Sequence, residues 1–311
     1  MPEYDLIQTY FAGLATAPHA LGLSDDVAIL PAAASPRIIT VDALVEGVHF
    51  LPEDPLETVA RKLYRANRSD LVAKGAVPEA ALLTLAWPSR RDEDDLQPFA
   101  DALGEELASD GAALIGGDTV SHQDHLVLSL TLTGLCRGDG PVMRRGAAPG
   151  DGVWTVGPIG AAYLGLQAAQ GALEARWRIT DYREPPRPPL ALAGLIAQHA
   201  RSSLDLSDGL LSDAAKLASN SGVRLSLDAD AVPWSDPEAD IAGRLAQATG
   251  GDDYVPLFTA PETAAETLRE AGLAMGLELA RIGNVEAGEG VGLQSGGRDI
   301  PLPARLGFEH G

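Results

Sequence analysis

Apolar residues at helical spacing open the chain: Leu6, Ile7, Tyr10, Phe11 and Leu14 predict an amphipathic helix over 3–16. A glycine turn, two acids and a short strand are expected over 21–30. Ile38, Ile39 and Val41 predict a strand that ends at Asp42. Helical spacing returns over 56–75, with Leu56, Val59, Ala60, Leu63 and Tyr64 on one face. A strand over 81–86, a helix over 94–108, a short strand over 113–115 and a strictly alternating strand over 126–133 follow. The breakers from Arg137 to Pro141 predict a domain boundary, giving domains 1–137 and 138–311. In the second half Gly157-Pro-Ile-Gly160 opens a helix after a strand over 153–156, and 181–189 is a proline-rich connector. A strand through Leu204 and Leu206, a helix over 209–221, a strand over 223–228 and a helix over 237–249 come next. A strand over 255–259, a helix over 262–276 and short strands close the chain.

Composition narrows this. With 45% hydrophobic and 5% aromatic residues in 311, the cores rest on Ala, Leu and Val. No apolar run approaches the roughly 18–20 residues of a membrane span, and the N-terminus lacks the basic and apolar regions of a signal peptide. Cys136 is the only cysteine, which excludes an internal disulfide and a cysteine-rich zinc site. A soluble, cytoplasmic protein is expected. Lys+Arg 23 against Asp+Glu 44 gives a net charge of −21, which argues against nucleic acid and anionic membranes as partners. None of Lys62, Lys74 and Lys216 follows a Gly-x-x-x-x-Gly spacing, so a Walker-type phosphate loop is absent.

The candidate chemistry lies in aspartates set among apolar strands and glycines: Asp25, Asp26, Asp42, Asp70, Asp118, Asp205 and Asp208. Bare, they would repel one another around a shared cleft. Hard cations resolve that, and an all-oxygen set suits magnesium rather than zinc. Such a site serves phosphoryl transfer, which needs positioning and charge neutralisation more than a covalent nucleophile. Rival structural readings exist: a polar loop at Asp25-Asp26, a salt bridge from Asp70 to Arg68 or Lys74, and a helix cap at Ser207 or Asp208. Asp205, inside its strand, is not explained by capping. His122 and His125 lack a third nitrogen or sulfur ligand and read as loop histidines. Gly157–Gly160 offers helix amides that a phosphate could use.

Four motifs stand in order along the chain: Thr40-Val-Asp-Ala-Leu-Val-Glu-Gly-Val-His-Phe50, Leu114-Ile-Gly-Gly-Asp-Thr119, Asp205-Leu-Ser-Asp-Gly-Leu210 and Gly250-Gly-Asp-Asp-Tyr254. Together they resemble the thiamine-monophosphate kinase family, of the aminoimidazole-ribonucleotide-synthetase-like (PurM-like) superfamily. The resemblance runs from Tyr4 to Phe308. It implies an α+β, two-domain PurM-like fold. Its N-terminal mixed sheet, with flanking helices, pairs in a homodimer, and its C-terminal α/β domain completes the nucleotide and substrate site. It also implies transfer of the γ-phosphoryl of ATP onto thiamine monophosphate.

Carried over by motif, Asp25, Asp26, Thr40, Val41, Asp42, Asp70, Asp118, Asp205 and Asp208 would hold several Mg2+ ions, with Asp42, Asp70 and Asp118 central to catalysis. Gly117, Asp118, Arg144 and Ser207 would lie at ATP, and His49, Asp252 and Phe308 at the thiamine end. A monovalent cation such as K+ is a further expectation. Three positions depart from the family pattern. Ser24 replaces a usual Gly. Val41 replaces a usual Thr, leaving only its carbonyl for a metal. Asp252 stands for a usual Glu, one methylene shorter. The alternatives are another ATP-dependent enzyme of the superfamily, of the aminoimidazole ribonucleotide synthetase or selenophosphate synthetase type, or a non-catalytic nucleotide or metal sensor.

Overall fold

The computed structural model describes residues 3–23, 28, 30–173 and 177–308. The chain forms two compact units. One takes in the chain up to Leu71 with Ala76–Asp139; the other takes in Val72–Gly75 with the chain from Gly140 onward.

In the first unit the periodicity expected over 3–16 does not give one regular helix. Glu3–Leu6 is α-helical (α1), Ile7–Phe11 widens into a π turn and Ala12–Leu14 tightens into a 3₁₀ turn. Tyr10 and Phe11 are both buried, and the wider turn lets two consecutive rings face one core. Four strands form the sheet: β1 (Arg37–Val45), β2 (Ala76–Pro88), β3 (Ala113–His122) and β4 (Val127–Cys136), in the order β1-β4-β2-β3. β2 and β3 run parallel, joined through α3 (Leu96–Asp110); the other pairs are antiparallel. The β2–β4 register shifts between Pro78 and Ala80, where proline has no N–H to give the ladder.

α2 (Leu56–Ala73) and α3 bury Val59, Leu63, Tyr64, Phe99 and Leu103 in one core with Leu83, Leu85, Leu128 and Leu130 of the sheet. The opposite side of the sheet carries exposed apolar side chains. Ile39 is 68% and Val41 60% exposed, with Leu82 and Val120 also open.

Two strand boundaries differ from expectation. β1 continues three residues beyond Asp42, and β3 continues through Gly116 and Gly117 to His122. These glycines are not a turn. A Cβ on Gly117 would collide with the Leu83 carbonyl of the paired strand, so glycine there permits close pairing.

The second unit holds a seven-stranded mixed sheet in the order β11-β10-β7-β9-β5-β8-β6. Its strands are β5 (Asp151–Val156), β6 (Ser202–Asp205), β7 (Arg224–Asp228), β8 (Pro256–Pro261), β9 (Leu279–Glu286), β10 (Gly290–Ser295) and β11 (Arg298–Ile300). Its helices are α4 (Ala161–Ala169), α5 (Ile179–Arg183), α6 (Ala191–His199), α7 (Leu210–Ser221), α8 (Ile241–Thr249) and α9 (Ala265–Ala274). α5 occupies part of the stretch expected to be a connector. Leu204, Leu210, Leu217, Leu225, Leu257 and Ile282 form the core.

Candidate active site

In the first unit, strand alternation turns Thr40 and Asp42 toward the helix-covered side. Asp70 meets them from α2. The Thr40 hydroxyl donates to Asp70 Oδ2 at 2.5 Å. Asn67, fully buried, locks the register of helix and strand. Its Oδ1 accepts from the Asp42 amide at 3.0 Å while its Nδ2 donates to the Leu63 carbonyl at 2.9 Å.

Burial, and then the Asp70 charge, push the Asp42 carboxyl from 3.8 up to about 7. Two carboxylates and a hydroxyl form a hard-oxygen set of the kind that could take part in holding a divalent cation. The rival salt bridges for Asp70 are not made. Arg68 pairs instead with Asp110 at 2.6 Å, both side chains 3% exposed, and Lys74 donates to the Ser203 carbonyl. Sequence reasoning missed Asn67; an asparagine within the apolar stripe of a predicted helix, three residues before Asp70, was the available signal.

Asp118 is placed differently. It pairs with Thr84, Thr84 with Ser129, and Ser129 with Ala43, so it projects from the open side of the sheet with Val41. The register therefore sets Asp118 on the face opposite Asp42 and Asp70. Among the described residues no three His, Cys, Asp or Glu side chains cluster closely enough to hold a metal alone. Asp25 and Asp26 lie outside the described residues, as does Ser24.

His49 sits on the loop between β1 and α2. Its Nδ1 accepts from the Val45 amide at 3.1 Å, which leaves the ring proton of the neutral imidazole on Nε2. Its own amide donates to the Val45 carbonyl at 2.9 Å.

In the second unit β6 delivers Asp205, buried, at its last residue, and the chain turns through 206–209 into α7. Neither Ser207 nor Asp208 caps that helix with its side chain. Asp213 folds back instead, accepting from the Asp208 amide at 2.9 Å and the Gly209 amide at 3.2 Å. Burial pushes the Asp213 carboxyl up despite Lys216 at 2.7 Å, and Lys216 also pairs with Asp208.

The loop at 250–254 is laced to this turn. The Asp252 amide donates to the Ser207 carbonyl at 2.9 Å and the Tyr254 amide to the Leu206 carbonyl at 2.7 Å. A Cβ on Gly251 would stand 2.8 Å from the Ser207 carbonyl oxygen, at φ +74°, so only glycine fits. Asp252 and Tyr254 hold positive φ values of 64° and 47° without being glycine, strain that the surrounding hydrogen bonds sustain. The Phe308 amide donates to the Asp208 carbonyl at 2.9 Å, and the Arg305 guanidinium lies 6.0 Å from its ring. Ser207, Asp208, Asp252 and Phe308 thus meet in one place. Arg144 is exposed, its carbonyl accepting from the Ser221 hydroxyl at 3.2 Å.

One residue between these positions has a part that its motif did not reveal. Asp253, buried, accepts from the Gly160 amide at 2.9 and 3.1 Å with its two oxygens. The amide of the residue that caps the start of α4, expected to be open to a phosphate, is therefore taken by a carboxylate of the chain itself.

The AIR synthase related protein N-terminal domain model matches residues 24–136, and its C-terminal domain model matches 148–296. A thiamine-monophosphate kinase of Caulobacter vibrioides is 40% identical over 94% of this chain and 86% of its own length. The chain belongs to the thiamine-monophosphate kinase family. The crystal structure of thiamine-monophosphate kinase from Stenotrophomonas maltophilia superposes with a TM-score of 0.79 at 33% identity, covering 89% of this chain and 90% of that one. A structure described as AaThiL complexed with AMPPCP and TMP superposes at 0.75 with 28% identity, covering 89% of each chain. In this family the two mixed sheets with their helices form the two-domain PurM-like fold. Among the described residues no helix is long and apolar enough to cross a membrane.

Proposed function

We infer that this chain transfers the γ-phosphoryl group of ATP to thiamine monophosphate, forming thiamine diphosphate and ADP. The observation that carries this reading is the 40% identity with a thiamine-monophosphate kinase along nearly the whole chain. A solved relative that holds both AMPPCP and TMP supports the two substrates. A phosphate oxygen of thiamine monophosphate attacks the γ-phosphorus in line. The bond from that phosphorus to the β–γ bridging oxygen breaks, and ADP leaves with the electron pair.

Thr40, Asp42, Asp70 and the Val41 carbonyl in the first unit, and Asp205 and Asp208 in the second, would hold magnesium ions; Asp25 and Asp26 belong to the same proposed set, while Asp118, on the opposite face of its sheet, would hold an ion apart from Asp42 and Asp70. Magnesium would neutralise the phosphates that face one another. Gly117, Asp118, Arg144 and Ser207 would bind ATP, with K+ as a further ion. His49, Asp252 and Phe308 would hold the thiamine end. A cytoplasmic location fits a kinase supplied with ATP. Incubation with ATP, Mg2+ and thiamine monophosphate should yield thiamine diphosphate and ADP in equal amounts. ADP with inorganic phosphate and no thiamine diphosphate would refute the reading.

The half-exposed Phe308 offers a ring face to an aromatic ligand. Phe308→Ala should raise KM for thiamine monophosphate about tenfold while KM for ATP stays within about twofold. Equal changes in both would remove Phe308 from the substrate end.

The homodimer is part of this proposal. Ile39, Val41, Leu82 and Val120 put apolar side chains on the open face of the first sheet, which a second copy would cover. Ile39→Glu should weaken that dimer by about two orders of magnitude, because two-fold symmetry buries the carboxylate twice. Light scattering across a dilution series measures this; an unchanged dimer would move the interface elsewhere.

A further inference from the structure

Lys62 is a buried cation with no place in the chemistry assigned so far. It projects from α2, 1% exposed, and its ammonium donates to the His49 carbonyl oxygen at 2.9 Å. Removing an ammonium from water is costly, and a methionine would fill the same volume without that cost. Among its interactions, this bond goes to the backbone of the one residue in its loop that carries a titratable ring.

The rest of that loop is already anchored. Glu46, 2% exposed, accepts from the Leu126 amide at 2.9 Å through Oε2, while Oε1 meets Arg90 at 2.5 Å and Arg91 at 3.1 Å. The Gly47 amide reaches the Phe50 carbonyl at 2.8 Å, and the Val48 amide the Val45 carbonyl at 3.0 Å. Both ends of the turn are therefore fixed by Glu46 and Phe50. The His49 peptide plane is set by Lys62, and the ring by the Val45 amide.

We propose that Lys62 is a positioning residue for the thiamine end of the substrate. Its ammonium orients the His49 peptide, so that the ring keeps its bond from the Val45 amide and presents the Nε2 proton in one direction. This rests on the assignment of His49 to that end of the substrate. A hydrogen-bonded ring on an oriented backbone keeps its donor aimed before substrate arrives, which lowers the cost of ordering it on binding.

The test uses the full-length enzyme and the variants Lys62→Met, Lys62→Gln and His49→Ala. Lys62→Met should raise KM for thiamine monophosphate about tenfold with KM for ATP within about twofold, and should add little further loss in the His49→Ala background. Long-range proton–nitrogen spectra of the substrate-free enzyme should show His49 protonated on Nε2, and a mixture of tautomers in Lys62→Met. Lys62→Gln keeps a shorter neutral donor and should fall between. It also serves if Lys62→Met does not fold. An unperturbed His49 spectrum in whichever Lys62 variant folds, or equal rises in both KM values, would make Lys62 merely structural and overturn the proposal. His49→Ala with KM for thiamine monophosphate unchanged would instead defeat the assignment of His49, while the spectra still decide whether Lys62 orients the ring.

Discussion

Asp42→Asn should abolish turnover and at the same time make the metal-free protein more stable at neutral and alkaline pH. The sign follows from proton binding. The carboxyl holds its proton up to about pH 7 in the folded chain, against 3.8 as its ordinary value. Between these values the unfolded state has released a proton that the folded state retains, so stability falls as pH rises through that window. Above it the ionised Asp42 costs the fold at most about 4 kcal/mol.

Asparagine has almost the same shape and cannot ionise, and the backbone bond from the Asp42 amide to Asn67 does not depend on the side chain. The variant should therefore match the parent near pH 4 and melt several degrees higher at pH 8. Added Mg2+ should stabilise the parent and do much less for the variant, since a divalent ion is what relieves the repulsion between Asp42 and Asp70. Thermal melts across pH, with and without Mg2+, measure all three. A variant that melts lower than the parent at pH 8 would make Asp42 a structural carboxylate.

What the sequence disclosed about this site divides along contact range. The apolar stripe of α2 was legible because a 3.6-residue repeat needs only its own segment, and Asp70 could be placed on that helix before any fold was known. The alternation of β4 was legible for the same reason. Gly116 and Gly117 misled, because glycine signals either a turn or a close approach, and only the neighbouring strand decides which. With β3 running straight through them, Asp118 moves to the opposite face from Asp42. The partner of Arg68 was invisible for a related reason: Asp110 lies 42 residues away on α3. A local salt bridge to Asp70 was the nearer guess and is not the one made.

Asp253 is the largest case of that kind, since the amide it accepts from lies 93 residues earlier. Replacing it should damage both fold and substrate affinity. Asp253→Ala would leave the Gly160 amide buried without an acceptor and open a small cavity, a loss of about 2–4 kcal/mol. Asp252 and Tyr254 flank it in left-handed backbone, so the loop keeps its shape only while its hydrogen bonds over-determine it. Freed from α4, the loop should relax and carry Asp252 away from the Ser207–Asp208 turn. KM for thiamine monophosphate should then rise by more than the loss of stability alone explains.

Asp253→Asn separates the contributions. Its amide oxygen can still accept from Gly160, and burial already pushes the native carboxyl far above its ordinary value, toward the neutral form. It should therefore lose less than half as much stability as Asp253→Ala and keep most of its substrate affinity. If asparagine proves as damaging as alanine, the negative charge on Asp253, and not its hydrogen bond to the start of α4, is what the loop requires.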